Sequence, residues 1–296
     1  MPQPLKKMKY NLIADAGSSK IDWLLADANW KELRQWVSPG VNALMASDAE
    51  IEAMADSAAS QIPRDAELGE IHFYGSGCAT PEICSRIADA LRKELRASSV
   101  SVYTDLLGAA RSLLGHKAGI ACILGTGSNS CLYNGKEIEQ NVPSLGFILG
   151  DEGSGAALGK RLVADAFKGH LPKVISDKFL KTFNLDLGAI LKSVYRAPTP
   201  NKFLASLVPF LSEHLWNPYV YSLVRQEFEL FLVRNVSPYK GSRTLPIAFT
   251  GSIAYHFSDI LKEAASRQGF KVGEICRRPI EGLLAYHASN TQNENE

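Results

Sequence analysis

No stretch of this sequence is apolar for long enough to span a bilayer, which argues against a transmembrane helix. The basic start, Met1 to Lys9, is followed by only a short apolar run, Asn11 to Ala14, which Asp15 stops. A secretory leader needs a longer apolar core, so none is read there. Charge of one sign is also lacking: 32 Lys and Arg against 31 Asp and Glu leave a formal charge of +1. That balance favours neither nucleic acid nor an anionic membrane as a partner, and a small molecule is expected instead. The five cysteines include no Cys-x-x-Cys. Cys122 and Cys131 fall in strand-like apolar segments, where a reduced thiol packs as a small hydrophobe, and a cytoplasmic protein is expected. The histidines show no metal-ligand spacing, so structural or surface roles are expected for them.

Two common nucleotide-binding signatures are missing as well. A Walker A loop reads Gly-x-x-x-x-Gly-Lys-Ser/Thr, whereas the nearest segment ends Gly159-Lys160-Arg161 and has Ser154 where the first glycine belongs. Rossmann spacing fails because Gly125-Thr126-Gly127 leads to Ser130, and Gly153-Ser154-Gly155 leads to Leu158. NAD is therefore not the expected cofactor.

What is present is the material for two α/β domains. The 296 residues exceed one small core, and 46% hydrophobic with 21% charged residues is a globular composition. Tyr10, Leu12 and Ala14 alternate with Asn11, Ile13 and Asp15, which predicts a strand. Ala16-Gly17-Ser18-Ser19 is a turn, Ile21 to Ala26 returns as a strand, and Leu33, Gln35 and Val37 mark a third. A helix follows the capping-box spacing of Ser47 and Glu50, then a strand over Glu70 to Tyr74. Another helix opens at Thr80-Pro81, a strand spans Ser99 to Thr104, and a helix spans Leu106 to Leu114. A second series begins with strands at Gly119 to Leu124 and Ser130 to Tyr133 and a third strand over Lys136 to Val142, joined by the Asn134-Gly135 turn. Helix is predicted over 152 to about 169 and through much of 173 to 235. A strand over Leu245 to Phe249, a helix to about Arg267 and a last helix over Ile280 to His287 complete the series. Trp23, Trp30, Trp36 and Trp216 read as core or partly buried packing.

The two series start alike. Ile13-Ala14-Asp15-Ala16-Gly17-Ser18-Ser19 aligns with Ile123-Leu124-Gly125-Thr126-Gly127-Ser128-Asn129, each a strand, a Gly-Ser turn and a strand. Either turn alone reads as an ordinary β-turn. As a pair they suggest a phosphate clamped between two hairpins, held by backbone N–H groups and small hydroxyls. Asp15, at the end of its strand, could hold magnesium through water. Asp105 ends a strand just before a helix. There it could accept a proton from an attacking hydroxyl or simply cap the helix, and spacing leaves both readings open. In Gly150-Asp151-Glu152-Gly153-Ser154-Gly155 the two acids could be mere helix-dipole partners, yet three glycines let backbone approach a ligand. Asn42 in Gly40-Val41-Asn42 offers an amide suited to hydroxyls, though in isolation it reads as a polar loop residue. Gly75-Ser76-Gly77 and Thr250-Gly251-Ser252 are weaker versions of the same theme.

Together, Asp15-Ala16-Gly17-Ser18-Ser19-Lys20, Thr104-Asp105, Leu124 to Asn129, Gly150 to Ser154 and Thr250-Gly251-Ser252 resemble the BadF/BadG/BcrA/BcrD-type ATPase family, and within it the N-acetylglucosamine kinase branch. The resemblance covers nearly the whole chain. It implies two ribonuclease-H-like lobes of the actin-like ATPase fold around a nucleotide and sugar cleft, at residues 1–114 and 115–296, with a helical insertion at about 170–240 and a final helix able to pack back on the first lobe. It implies Asp105 as catalytic base and Asn42, Ser76, Asn129 and Asp151 as sugar-holding residues. Asp15, Gly17, Ser18, Ser19 and Lys20 match the first ATP phosphate loop, Thr126 and Gly127 the second, and Gly251 with Ser252 the adenosine segment. The first loop departs from Asp-Gly-Gly-Gly-Thr-Lys at Ala16, Ser18 and Ser19. The implied reaction is transfer of the γ-phosphoryl of MgATP to an amino sugar, N-acetylglucosamine at its 6-hydroxyl in the first place, with glucosamine and N-acetylmuramic acid as rivals. A homodimer is implied by the same relatives. Two readings from other classes are a dehydratase-activating ATPase, which would bridge an iron–sulfur cluster through cysteines, and a non-catalytic sugar sensor.

Overall fold

The computed structural model describes residues 9–63 and 66–293. The chain divides into two compact units: the described residues up to His116 with the segment from Pro279, and Lys117–Arg278.

In the first unit, β1 (Lys9–Ala16), β2 (Lys20–Asp27) and β3 (Glu32–Pro39) form an antiparallel meander. Strands β4 (Glu67–Gly75) and β5 (Ser99–Thr104) add in parallel beside β1, giving the order β3-β2-β1-β4-β5. The period-2 pattern sorts β1 onto two faces. Leu12, Ala14 and Ala16 join the core that includes Ile51 and Met54 of α1 (Asp48–Ala59) and Ile87 and Leu91 of α2 (Pro81–Leu95). Ile13 faces the other way, beside α3 (Asp105–Leu114) and the C-terminal helix. The chain returns to this unit at its end: Ile280 and Leu283 pack fully buried against Ile13, Leu24 and Trp30. Each such side chain stabilises by about 1.5–3 kcal/mol, which makes the last helix integral to the unit.

The second unit repeats the plan. Strands β6 (Gly119–Leu124), β7 (Ser128–Tyr133) and β8 (Ile138–Asn141) form an antiparallel meander. Strand β9 (Ile247–Thr250) pairs in parallel with β6, and β10 (Val272–Cys276) with β9, giving β10-β9-β6-β7-β8. Both sheets thus share one order and one pattern of directions. The long excursion between β8 and β9 is helical: α4 (Gly146–Leu149), α5 (Gly155–Phe167), α6 (Lys173–Thr182), α7 (Leu187–Tyr195), α8 (Pro200–Ser206), α9 (Pro209–Glu213) and α10 (Pro218–Phe231), which runs on as a π-helical turn over Leu232–Val236. After β9 come α11 (Ser252–His256) and α12 (Ser258–Arg267), and α13 (Ile280–Asn293) follows β10. No helix among the described residues is long and apolar enough to cross a membrane.

The structure departs from the sequence reading in four places. Strand β10 is additional. It is a short edge strand with Gly273 and Glu274 exposed, so no alternation announces it. The predicted helix from 152 begins only at Gly155, because Asp151 (φ 60°) and Gly153 (φ 71°) are left-handed. The strand predicted from Lys136 begins at Ile138, since Asn134 Oδ1 accepts the N–H groups of Lys136 and Glu137 and extends the turn. Trp216 is exposed at 72%, lying just before Asn217, the N-cap of α10.

Candidate active site

The first unit's site begins at the β1–β2 turn. Gly17 N–H donates to the Lys20 carbonyl at 3.0 Å, and Gly40 N–H reaches the Ser19 carbonyl at 3.2 Å. A Cβ on Gly40 would lie 2.4 Å from Lys20 N and from the Ser19 carbonyl carbon, so only glycine permits β3 to end against this turn. Asp15 closes β1 directly opposite Asp22 in the antiparallel register. Lys20 Nζ lies 2.5 Å from Asp22 Oδ2. Burial, and then the like charges of Asp22 and Asp105, push the Asp15 carboxyl from 3.8 up to about 7; Lys20 opposes the shift and Glu281 adds to it.

Strand β4 delivers Ser76 to the same place, its N–H donating to Ala16 O at 2.8 Å. The Ser76 and Ser18 hydroxyls are 3.2 Å apart. Asn42 Nδ2 donates to Ser18 Oγ at 3.3 Å and approaches Ser76 Oγ at 3.5 Å, while its Oδ1 accepts Leu44 N–H. Asp105 is not the cap of α3. Thr104 is, its Oγ1 accepting Leu107 N–H at 3.1 Å. Asp105 stands at the first helical position, Oδ1 accepting Leu106 N–H at 2.8 Å. Burial raises its carboxyl above the ordinary 3.8, opposed by hydrogen bonds from the Leu106 N–H, its own N–H and the Ser76 hydroxyl. Ser76 thus lies beside the Asp105 carboxylate while its hydroxyl meets Ser18 of the turn and Asn42.

In the second unit, the β6–β7 turn closes with Gly125 N–H donating to Gly127 O at 2.9 Å. The first N–H groups of α5 brace it, Gly155 to Gly125 O at 2.8 Å and Ala156 to Thr126 O at 3.0 Å. Asp151, buried, accepts Ser128 N–H at 3.2 Å and packs on Gly127, where a Cβ would come within 3.0 Å of its Oδ2. Burial raises the Asp151 carboxyl, the Ser128 bond lowers it, Glu152 raises it and Lys160 lowers it. Glu152 turns away to Arg234 and Asn235. Gly251 (φ +113°) presses on β6, where a Cβ would be 2.3 Å from Leu124 O, and Ser252 opens α11 beside it. Asn129 is held separately, its Oδ1 accepting Ser130 N–H at 2.9 Å and Asn141 Nδ2 at 3.0 Å.

Asp15, Gly17, Ser18, Asn42, Ser76 and Asp105 thus converge in one unit, with Ser19 and Lys20 on the exposed edge of the turn. Thr126, Gly127, Asp151 and Gly251 gather around the other turn. Sequence reasoning passed over Asp22 and Asn141. Asp22 interrupts the apolar stretch Ile21–Ala26, a signal that acquires meaning only once the hairpin register places it opposite Asp15. Among the described residues no cluster of His, Cys, Asp or Glu could hold a metal by itself. The Asp15 carboxyl, crowded by two like charges, suits a magnesium ion bound through its water shell, which would relieve that crowding.

Two meander-plus-parallel sheets of identical order, each carrying a Gly-Ser turn at its first hairpin, define the actin-like ATPase fold. No protein-family model matches the sequence, and no curated protein sequence matches it. Solved structures do. A Porphyromonas gingivalis protein whose name proposes N-acetylglucosamine kinase activity is 42% identical over 95% of this chain and 99% of its own, with a TM-score of 0.88. At that identity the chain belongs to the same family, sugar kinases of the actin-like ATPase fold. A Chromobacterium violaceum protein with the same proposed activity shares the fold at 20% identity, covering 94% of this chain and 98% of that one, TM-score 0.76. So does a ROK family glucokinase from Streptomyces griseus, solved with glucose and AMPPNP, at 12% identity over 96% and 98% of the two chains, TM-score 0.59.

Proposed function

We propose that this protein transfers the γ-phosphoryl group of ATP to the 6-hydroxyl of N-acetylglucosamine. One observation carries the reading: the Ser76 hydroxyl lies beside the Asp105 carboxylate and meets Ser18 and Asn42, so a carboxylate base, sugar-type hydrogen-bonding groups and a phosphate-type turn gather in one place. The name of the Porphyromonas gingivalis relative supports N-acetylglucosamine over other sugars.

In this mechanism Asp105 accepts the proton of the attacking hydroxyl. Burial raises the Asp105 pKa, so it takes a proton more readily than an ordinary carboxylate. Asn42, Ser76, Asn129 and Asp151 are the residues proposed to bind the sugar. Each of the two turns, Gly17-Ser18-Ser19 and Thr126-Gly127, is suited to phosphate, Lys20 adds positive charge beside the first, and Gly251-Ser252 is the proposed adenosine segment. Asp15 would hold Mg2+ through water, and the ion would neutralise phosphate charge as it shifts during transfer. The protein's own contribution is positioning and charge stabilisation.

The test is coupled ADP release from MgATP with N-acetylglucosamine, glucosamine, N-acetylmuramic acid, glucose and no sugar. Stimulation by N-acetylglucosamine above the others is expected. Release that no sugar stimulates would remove the reading.

A further inference from the structure

Asn129 and Asn141 hold each other in one orientation, and backbone groups decide which. The Ser130 backbone N–H can only donate, so the Asn129 atom 2.9 Å away is its Oδ1. The Asn141 atom that meets this same oxygen at 3.0 Å also lies 2.7 Å from the Ser130 carbonyl and 3.1 Å from the Val142 carbonyl. Carbonyls only accept, so that atom is the Asn141 Nδ2. Side-chain amide orientations are otherwise interchangeable in shape; here neither amide can flip without opposing a fixed backbone group. The consequence falls on Asn129. Its oxygen is used twice, and its NH2 has no partner among the described residues.

We infer that Asn141 is a positioning residue that locks Asn129 with its NH2 presented to the sugar, so that this point of the site takes a hydrogen-bond acceptor and disfavours an ammonium group. The inference rests on the sugar-kinase reading above. The acceptor would be a neutral oxygen, either a sugar hydroxyl or an acyl carbonyl. Asn141 is well placed for the task because it touches no other part of the candidate site. It ends β8 opposite Cys131, and the β7–β8 ladder fixes its backbone against the strand that carries Asn129. Its side chain is exposed, so truncating it leaves no cavity in the core.

The experiment measures KM for the sugar, KM for MgATP, kcat and Tm in the full chain and in three variants. Asn141→Ala removes one of the two hydrogen bonds that hold the Asn129 amide and leaves only that from Ser130 N–H, so sugar KM should rise about three- to tenfold while MgATP KM and Tm stay near wild type. Asn141→Asp sets a carboxylate against three oxygens and should raise sugar KM further, by drawing the Asn129 NH2 inward. Asn129→Asp keeps the oxygen that Ser130 and Asn141 bind but removes the presented donor. It should match or exceed Asn141→Ala in sugar KM with Tm retained. Unchanged sugar KM in Asn141→Ala and Asn129→Asp, with the wild type turning over sugar normally, overturns this inference alone. A parallel rise in both KM values with a fallen Tm also overturns it, since that is a purely structural role. Absence of sugar-dependent turnover in the wild type removes the kinase reading, and this inference with it.

Discussion

Asp15 and Asp22 face each other across the β1–β2 ladder, and Lys20 Nζ sits 2.5 Å from the second of them. Two acids at directly opposed positions are a destabilising pair in a sheet. The protein retains them next to a turn suited to phosphate. Without Mg2+, folded Asp15 keeps its proton up to about pH 7, whereas the ordinary carboxyl gives it up near 3.8. The folded state therefore binds more protons in that window, and this group's contribution to stability falls as pH rises through it. Asp15→Asn should be more stable than wild type at pH 8 and little different near pH 4, while turnover falls at least about a hundredfold. Urea unfolding at the two pH values checks the first part. Equal stability differences at both would show that Asp15 is not held protonated.

Asp105→Asn should lower kcat by about 10²–10⁴-fold, the range for loss of a general base, with MgATP affinity kept. Ser76→Ala probes the same carboxylate more gently. The Ser76 hydroxyl lowers the Asp105 pKa, so its removal should move the acid limb of the kcat profile to higher pH. A variant whose limb stays in place would separate Ser76 from Asp105.

Much of this arrangement can be read from the sequence, and the exceptions have a common cause. The two Gly-Ser hairpins and their strands are visible because alternation and turn chemistry are local signals, as at Leu12, Ala14 and Ala16 against Ile13 and Asp15. Strand β10 is not, because its residues pair with β9 on one side only and alternate weakly. Spacing could not say whether Asp105 caps α3, since Thr104 and Asp105 are both good caps; the hydrogen bond from Leu107 N–H to Thr104 Oγ1 gives the cap to Thr104. Asp22 and Asn141 draw their meaning from cross-strand register, a relation between residues that composition and periodicity do not encode.

Gly40 offers a test of the first turn that leaves its hydroxyls and charges untouched. A methyl group there would meet backbone atoms at 2.4–2.5 Å from Ser19, Lys20 and Gly17, none of which can rotate aside. Gly40→Ala should cost about 1–3 kcal/mol by overpacking and raise KM for MgATP as the turn is pushed open. Gly115→Ala is the comparison for strain without collision. Gly115, unlike Gly40, has positive φ (+57°), and its Cβ would meet nothing within 4 Å. A MgATP effect of equal size in both variants would argue against a steric origin in the turn.

The last helix gives the first unit a pH dependence opposite in sign to that of Asp15. The His287 ring stacks on His72 at 3.8 Å and on Trp30 at 4.9 Å, and its Nε2 lies 3.0 Å from the Tyr74 hydroxyl. Burial, then His72 and Arg111, push the His287 pKa from 6.5 down to about 2. His72 is lowered as well, mainly by burial and against the pull of Glu70. An unfolded chain therefore binds more protons than the folded one below about 6.5, and stability should drain away as pH falls from there. His287→Phe keeps an aromatic ring beside Trp30 but cannot be protonated. It should cost about 1 kcal/mol at pH 8, where it loses the Tyr74 hydrogen bond, and progressively less toward pH 5. Chemical unfolding across that range would show converging curves. Parallel curves would mean that some other group, not His287, sets the acid limit of this helix.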